Sequence, residues 1–199
     1  MNRRIGMFSS AINLFAVIGF AISMLIGSDF GSYFSSLFIA FSFVPMMCAY
    51  AYFSKEKSKL AGVTAVGFAA MYAAIISLVY FAQLTTVRFG GLTEQAAVIL
   101  DFKQFGLLFN YDLLGYALMA LATFFAGLTM EAVSKADKWL KGLLLVHGIF
   151  FFSCLIVPML GLFQADGEAG IGIALLEFWC VYFMPISILS FFHFSKYEK

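Results

Sequence analysis

The sequence predicts an all-α, polytopic membrane protein: a bundle of six transmembrane helices with both termini on the cytoplasmic side. Three observations carry this prediction. The 199 residues are 63% hydrophobic and only 12% charged, with mean hydropathy +0.96. A soluble domain is about 45–50% apolar and about 25% charged, and a chain this small has no interior large enough to hide the excess. Second, the apolar residues fall into six runs, at about 5–27, 33–53, 60–84, 107–134, 139–163 and 170–194. Each reaches the ~20 residues that a helix needs to cross ~30 Å of hydrocarbon. Lipid offers backbone groups no partners, so each run is expected to be helical. The runs are too long and too continuous for the ~10-residue alternating segments of a β-barrel.

Third, the basic residues are lopsided. Of 12 Lys and Arg, Arg3, Arg4, Lys55, Lys57, Lys59, Lys135, Lys138, Lys141, Lys196 and Lys199 fall on one side of such a bundle. Arg88 and Lys103 fall on the other. An excess of Lys and Arg marks the cytoplasmic side. The expected location is the cell membrane, as one multi-pass domain over residues 1–199.

Along the chain, Arg3 and Arg4 precede an apolar run longer than the 7–15 residues of a signal-peptide core, and Gly27-Ser28-Asp29 is a poor cleavage site, so a retained first helix is expected. Asn13 in span one is expected to hydrogen-bond between helices. Pro45 in span two and Pro158 in span five occupy matching places if the chain is an inverted repeat of three spans and three, although Pro185 in span six breaks the match.

Span three carries Ala61, Ala65, Ala69, Ala73 and Ser77 at every fourth position. Small residues let helices approach closely, which makes this stripe a packing face and span three the expected centre of the bundle. The loop that follows, 85–106, is longer than the others. Thr93-Glu94 predicts a helix start within it, with Thr93 as cap and Val98, Phe102 and Phe105 on one face. It reads as an interfacial helix or, more specifically, as a lid over an outer vestibule.

Span four opens with Asp112 and Tyr116 on one face, either as a helix cap or as an outer-mouth site with Gln83 as neighbour. Glu131 at its end predicts a surface pair with Lys135. His147 lies inside span five and Glu177 inside span six. Ionisable groups at such depth are costly, about 2.5–3.5 kcal/mol at mid-span, which makes both functional candidates. Glu177 is the first choice for a proton-exchanging or cation-binding carboxyl. His147 suits a proton relay, and its structural alternative is a neutral ring bonded to a backbone carbonyl. His193 reads as interfacial.

Cys48, Cys154 and Cys180 all sit inside spans, with no CxxC and no Cys/His cluster, so no metal site is expected. Nucleotide and hydrolase motifs are absent, and no catalytic residue or cofactor is assigned. A net charge of +1 leaves no footprint for nucleic acid. The expected partner is the lipid bilayer, with a homodimer or another membrane protein as further options. Three functional classes follow. The leading one is a small-solute or ion transporter or channel, proton-coupled through Glu177. The others are a non-catalytic subunit for another membrane protein and an intramembrane enzyme acting on a lipid or lipophilic cofactor. On balance the chain reads as a non-enzyme.

Overall fold

The computed structural model describes residues 1–102, 106–161 and 169–197, with the side chains of 169–171 left out. The expectations for Lys103, Phe105 and Lys199 lie outside the described residues. Among the described residues all regular structure is helical, and six helical stretches are long and apolar enough to cross a membrane.

Helix α1 (Asn2–Leu25) ends in a tight reversal. Gly27 adopts φ +70°, which L side chains rarely accept, and lets Gly27 N–H bond Met24 O and Ser28 N–H bond Ser23 O. The Ser28 hydroxyl then caps α2 (Asp29–Phe53) by accepting from Gly31 N–H. That cap starts α2 four residues before the expected Tyr33. Helix α3 (Lys59–Ala82) continues into a π-helical turn, Gln83–Val87. Short α4 (Glu94–Leu100) begins as its sequence predicts, with Thr93 accepting from Ala96 N–H.

Helix α5 (Leu107–Thr129) stops five residues short of the expected position 134. The reason is the next start signal. Ser134 and Asp137 form a reciprocal capping box that opens α6 (Lys135–His147), so residues expected as a loop are its first turn. Span five then tightens near its middle while its backbone stays right-handed helical. After His147 the chain makes short turn bonds, Gly148 N–H to Leu145 O and Ile149 N–H to Val146 O, before α7 (Phe150–Met159) resumes. Span two is unbroken through Pro45, so the two proline-bearing spans of the inverted-repeat scheme differ in construction. Helix α8 (Ala169–Ser195) closes the bundle.

The spans form a ring in chain order. Helix α1 packs on α2, α2 on α3, α3 on α5, α5 on α6 and α7, and α6 on α8, which returns to α1. The start of α1, the end of α8 and most of the described basic residues gather at one end, called here the basic end. The opposite end carries α4. The core runs between them through Phe43, Met46, Met47, Tyr72, Ile76, Met119, Leu144, Phe183 and Ile186, all buried.

Helix α5, rather than α3, is the most buried span. Of the alanine stripe, Ala65 and Ala69 are buried, while Ala61, Ala73 and Ser77 are half-buried. Steps of four residues advance 400°, so such a stripe drifts about 40° per step on a 3.6-residue helix. The buried face instead alternates threes and fours through Gly62, Ala65, Ala69, Tyr72, Ile76 and Val79. Gly62 is the tightest point on it, since a Cβ there would lie 2.8 Å from Ala51 Cα.

Glu131 lies beyond the end of α5 and pairs with Lys55 Nζ at 2.6 Å, not with the expected Lys135. The break at Met130 removes the helical spacing on which that i,i+4 pair depended. The hydrogen bond from Lys55 holds the Glu131 carboxyl below its ordinary range.

Gly62→Ala should push α2 and α3 apart and destabilise the protein by about 1–3 kcal/mol. Gly67→Ala meets nothing and should be neutral or stabilising by up to about 1 kcal/mol. Thermal unfolding in detergent distinguishes the two. For Glu131, the folded carboxyl protonates below the unfolded one. Its small contribution is therefore present at neutral pH and lost as the pH falls through the carboxylate range. The Tm difference between wild type and Glu131→Gln should shrink in acid and in high salt.

Candidate functional site

Among the described residues the bundle buries two aspartates, one near each end, and they are treated in opposite ways. Asp137 at the basic end has its carboxylate filled. Oδ1 accepts from His193 Nδ1–H and from Lys196 Nζ, both at 2.9 Å. Oδ2 accepts from Ser134 O–H at 2.6 Å, Ser134 N–H at 3.1 Å and Lys196 at 2.9 Å. His193 is thus drawn into a buried cluster rather than left at an interface. Its other nitrogen faces the Tyr197 hydroxyl at 3.3 Å, and its ring stacks on Tyr50.

Asp112 is 5% exposed and has no such support. It sits five residues into α5, about 7 Å along the axis. Gly115, one turn further on, lets α3 come close, since a Cβ there would lie 2.8 Å from Ile76 Cδ1. Tyr80 partners the Asp112 carboxyl and also reaches Ser36 on α2. Tyr72 and Tyr116, with ring centroids 5.9 Å apart, both feel the Asp112 charge.

Among the described residues four buried side-chain atoms lack a hydrogen-bond partner: Asp112 Oδ1, Tyr72 Oη, Tyr116 Oη and Glu177 Oε1. Three of the four belong to this cluster. No Lys or Arg is buried among the described residues. The cluster therefore combines one carboxylate without a countercharge and two hydroxyls with unused capacity. Buried polar atoms in native proteins nearly always find partners, and orphans point to a water, an ion or a functional role.

The loop that carries α4 covers this cluster from the end opposite the basic end. Phe102 packs against Tyr33, Tyr80 and Phe109, with centroids 5.8, 5.8 and 5.3 Å away. Gln83 holds the segment down. Its Nε2 donates to Leu100 O at 2.6 Å, and its Oε1 accepts from Phe102 N–H at 3.3 Å. Gln83 thus fastens the cover and is placed by the π-helical turn at the end of α3, a distortion frequent at functional sites.

Toward the middle of the bundle, Tyr116 meets Trp179 edge-on with centroids 5.3 Å apart. Trp179 Nε1–H donates to His147 Nε2 at 3.0 Å. That makes Nε2 an acceptor and leaves the proton of a neutral ring on Nδ1, which lies 2.7 Å from Thr123 Oγ1. Thr123 in turn donates to Ala120 O at 2.9 Å. The His147 ring is buried and bonded on both nitrogens, but to the Thr123 hydroxyl and the Trp179 indole rather than to the expected backbone carbonyl. The tightened stretch of span five begins immediately after His147.

Glu177 stands two residues before Trp179, about 200° around α8. It is half-buried, with Cys180 beside it. The structure therefore does not join Glu177 to His147, whose partner occupies the other face of α8. Asn13 spans three helices. Its Nδ2 donates to Ile39 O at 3.1 Å and Ser42 Oγ at 3.0 Å, and its Oδ1 accepts from Ser187 at 2.9 Å. One turn further along α8, Tyr50 donates to Ser190 at 2.6 Å, and Ser190 to Ile186 O at 2.6 Å.

From one end to the other the ring holds a series of polar clusters, together called the polar seam, with apolar side chains such as Phe183 and Ile186 among them: Asp112 and its tyrosines, then Trp179, His147 and Thr123, then Asn13, Ser42 and Ser187, then Tyr50 and Ser190, then Asp137 and His193. Sequence reasoning missed Tyr72, Tyr80, Trp179, Ser187 and Ser190. A signal for the last two existed, because Ser187, Ser190 and His193 recur at intervals of three on the buried side of α8. Among the described residues no group of His, Cys, Asp and Glu has the composition of a metal site.

Comparison with models of known protein families, with curated proteins and with solved structures finds no match to this chain.

Trp179→Phe keeps the ring but strands His147 Nε2 as a buried acceptor. A loss of about 1–3 kcal/mol of stability is expected. Trp139→Phe, at a position 71% exposed, should stay within about 0.5 kcal/mol. Thermal unfolding of both variants in the same detergent measures the contrast.

Proposed function

We propose that this protein lies in the cell membrane with both termini in the cytoplasm and moves a cation, either a proton or a small metal cation, in a transport cycle. Asp112 is its coupling carboxylate. The observation that carries the reading is the contrast between the two buried aspartates. Asp137 has Lys196 and a full set of donors. Asp112 has an unpaired oxygen, no countercharge and two idle phenol hydroxyls next to it. A carboxylate buried in a medium of low dielectric must be neutralised, and a bound cation accomplishes that.

Further features support the reading. The charge bias places the basic end in the cytoplasm. The Asp112 cluster then lies near the outer face, under the cover held by Gln83 and Phe102. Span five tightens beside His147 into short i→i+3 bonds, and such a stretch within a helix often marks a functional hinge. The polar seam supplies hydroxyl, indole and imidazole groups from the Asp112 cluster toward the cytoplasm. At that end Asp137, His193 and Lys196 form a closed ion cluster, which fits an inner gate. Intramembrane carboxylates commonly mark such paths. Glu177, the first choice from sequence, is half-buried and stands apart from the seam.

The test is flux in proteoliposomes. One arm loads a pH-sensitive dye and imposes a pH gradient. The other imposes a sodium or potassium gradient and reads the matching dye. Wild type should dissipate one of them faster than protein-free vesicles, and Asp112→Asn should slow that flux at least about tenfold while remaining folded by its thermal transition. If wild type matches empty vesicles in both arms, or Asp112→Asn matches wild type, the proposal fails.

A further inference from the structure

A groove of about 750 Å³ runs down the outside of the α1–α2 pair, starting at the basic end. Its walls are Phe8 and Ile12 from α1 and Phe38 and Phe41 from α2, all four exposed on the bundle surface. Its floor is low because Ser42 is small, and it is fixed because Ser42 donates to Phe38 O at 2.6 Å and receives Asn13 Nδ2 at 3.0 Å. The Asn13 bond belongs to the polar seam, so the groove floor is the back of the bundle's internal wiring.

The one charged side chain among the lining residues is Arg4, at the mouth beside Met1. Arg4 is exposed, has no ion-pair partner among the described residues, and no acidic residue stands in the first turn of α1. From Arg4 to Ile12 the groove covers eight residues, about 12 Å at 1.5 Å per residue. The Arg side chain extends that reach toward the ~15 Å depth of one hydrocarbon leaflet. Hence the groove is apolar over the depth of an acyl chain and cationic where a lipid headgroup sits.

We infer that this groove is a binding site for an anionic phospholipid of the cytoplasmic leaflet, with an acyl chain between the phenylalanines and the phosphate on Arg4. The inference rests on the membrane placement proposed above but not on Asp112. Guanidinium groups recognise phosphate through paired, charge-assisted hydrogen bonds. The chain seats against Phe8, Phe38 and Phe41 without displacing any protein contact. A zwitterionic lipid fits the same groove but lacks the net charge.

Native mass spectrometry of the full chain, released from vesicles containing equal phosphatidylglycerol and phosphatidylcholine of matched chains, reads the retained lipid. Wild type should keep one phosphatidylglycerol in preference to phosphatidylcholine by about fivefold, the factor that one basic residue contributes to anionic-lipid attraction. Arg4→Gln should erase the preference. Arg3→Gln, whose side chain does not line the groove, should keep it. Ile12→Trp, which fills the deep end, should lose the retained lipid of either headgroup. Equal retention of the two lipids by wild type, an unchanged Arg4→Gln, or an Arg3→Gln as weak as Arg4→Gln would overturn the site. Flux through Asp112 is read separately, so failure here leaves the transport reading standing.

Discussion

In the membrane placement proposed above, a polar atom enclosed by the bundle has no bulk water to fall back on, and this constraint organises the molecule. Six apolar helices gain little from hiding apolar surface, because lipid solvates that surface as well as protein does. What distinguishes one packing from another is whether each enclosed hydroxyl, imidazole and carboxylate finds a partner. The ring meets that demand with bonds that cross between helices. Asn13 joins α1 to α2 and α8, Tyr50 joins α2 to α8, and His147 joins α6 to α5 and α8. Closure of the ring by α8 against α1 is the product of these contacts as much as of shape.

The same rule makes the exception informative. At the basic end a buried carboxylate is surrounded by an ammonium, an imidazole and a capping serine. At the other end Asp112 shares a pocket with three tyrosines and keeps one oxygen unused. Proteins seldom carry an idle buried carboxylate, because nothing offsets its desolvation. The two ends of the seam thus differ as a locked station differs from an open one. In the transport cycle proposed above, that difference would set a direction, from a site that takes up a cation to a site already neutralised. The cover over Asp112 is fastened by hydrogen bonds from Gln83 and by the packing of Phe102, while the lysine-bound cluster at the other end is held by five contacts to one carboxylate.

Much of this architecture is legible in the chain. Hydropathy locates all six spans, Thr93 announces α4, and Asn13 announces an interhelical bond. The errors have physical causes. Ser134-x-x-Asp137 is a capping box that looks like a polar loop when only hydropathy is weighed. Span five tightens at Gly148 without altering its apolar character, so periodicity gives no sign of the change. The every-fourth alanine stripe winds around α3, and the true packing face is recognisable only when threes and fours alternate. The candidate site was half visible. Asp112 and Tyr116 stand one turn apart, but Tyr72 and Tyr80 come from another helix, and no local pattern links them to Asp112. Glu177 drew more weight because depth along a helix can be counted from sequence, whereas the direction a side chain faces cannot.

The most direct test is to see what occupies the space around Asp112. A crystal structure grown from a lipidic mesophase, at a resolution that reveals ordered water and bound ions, would show it. The account requires density within hydrogen-bonding or coordination distance of Asp112 Oδ1 and of the Tyr72 or Tyr116 hydroxyl, and the loss of that density in Asp112→Asn. A dry, closely packed pocket with the carboxyl turned onto a protein donor would contradict it, and the seam would then be purely the means by which the helices hold together.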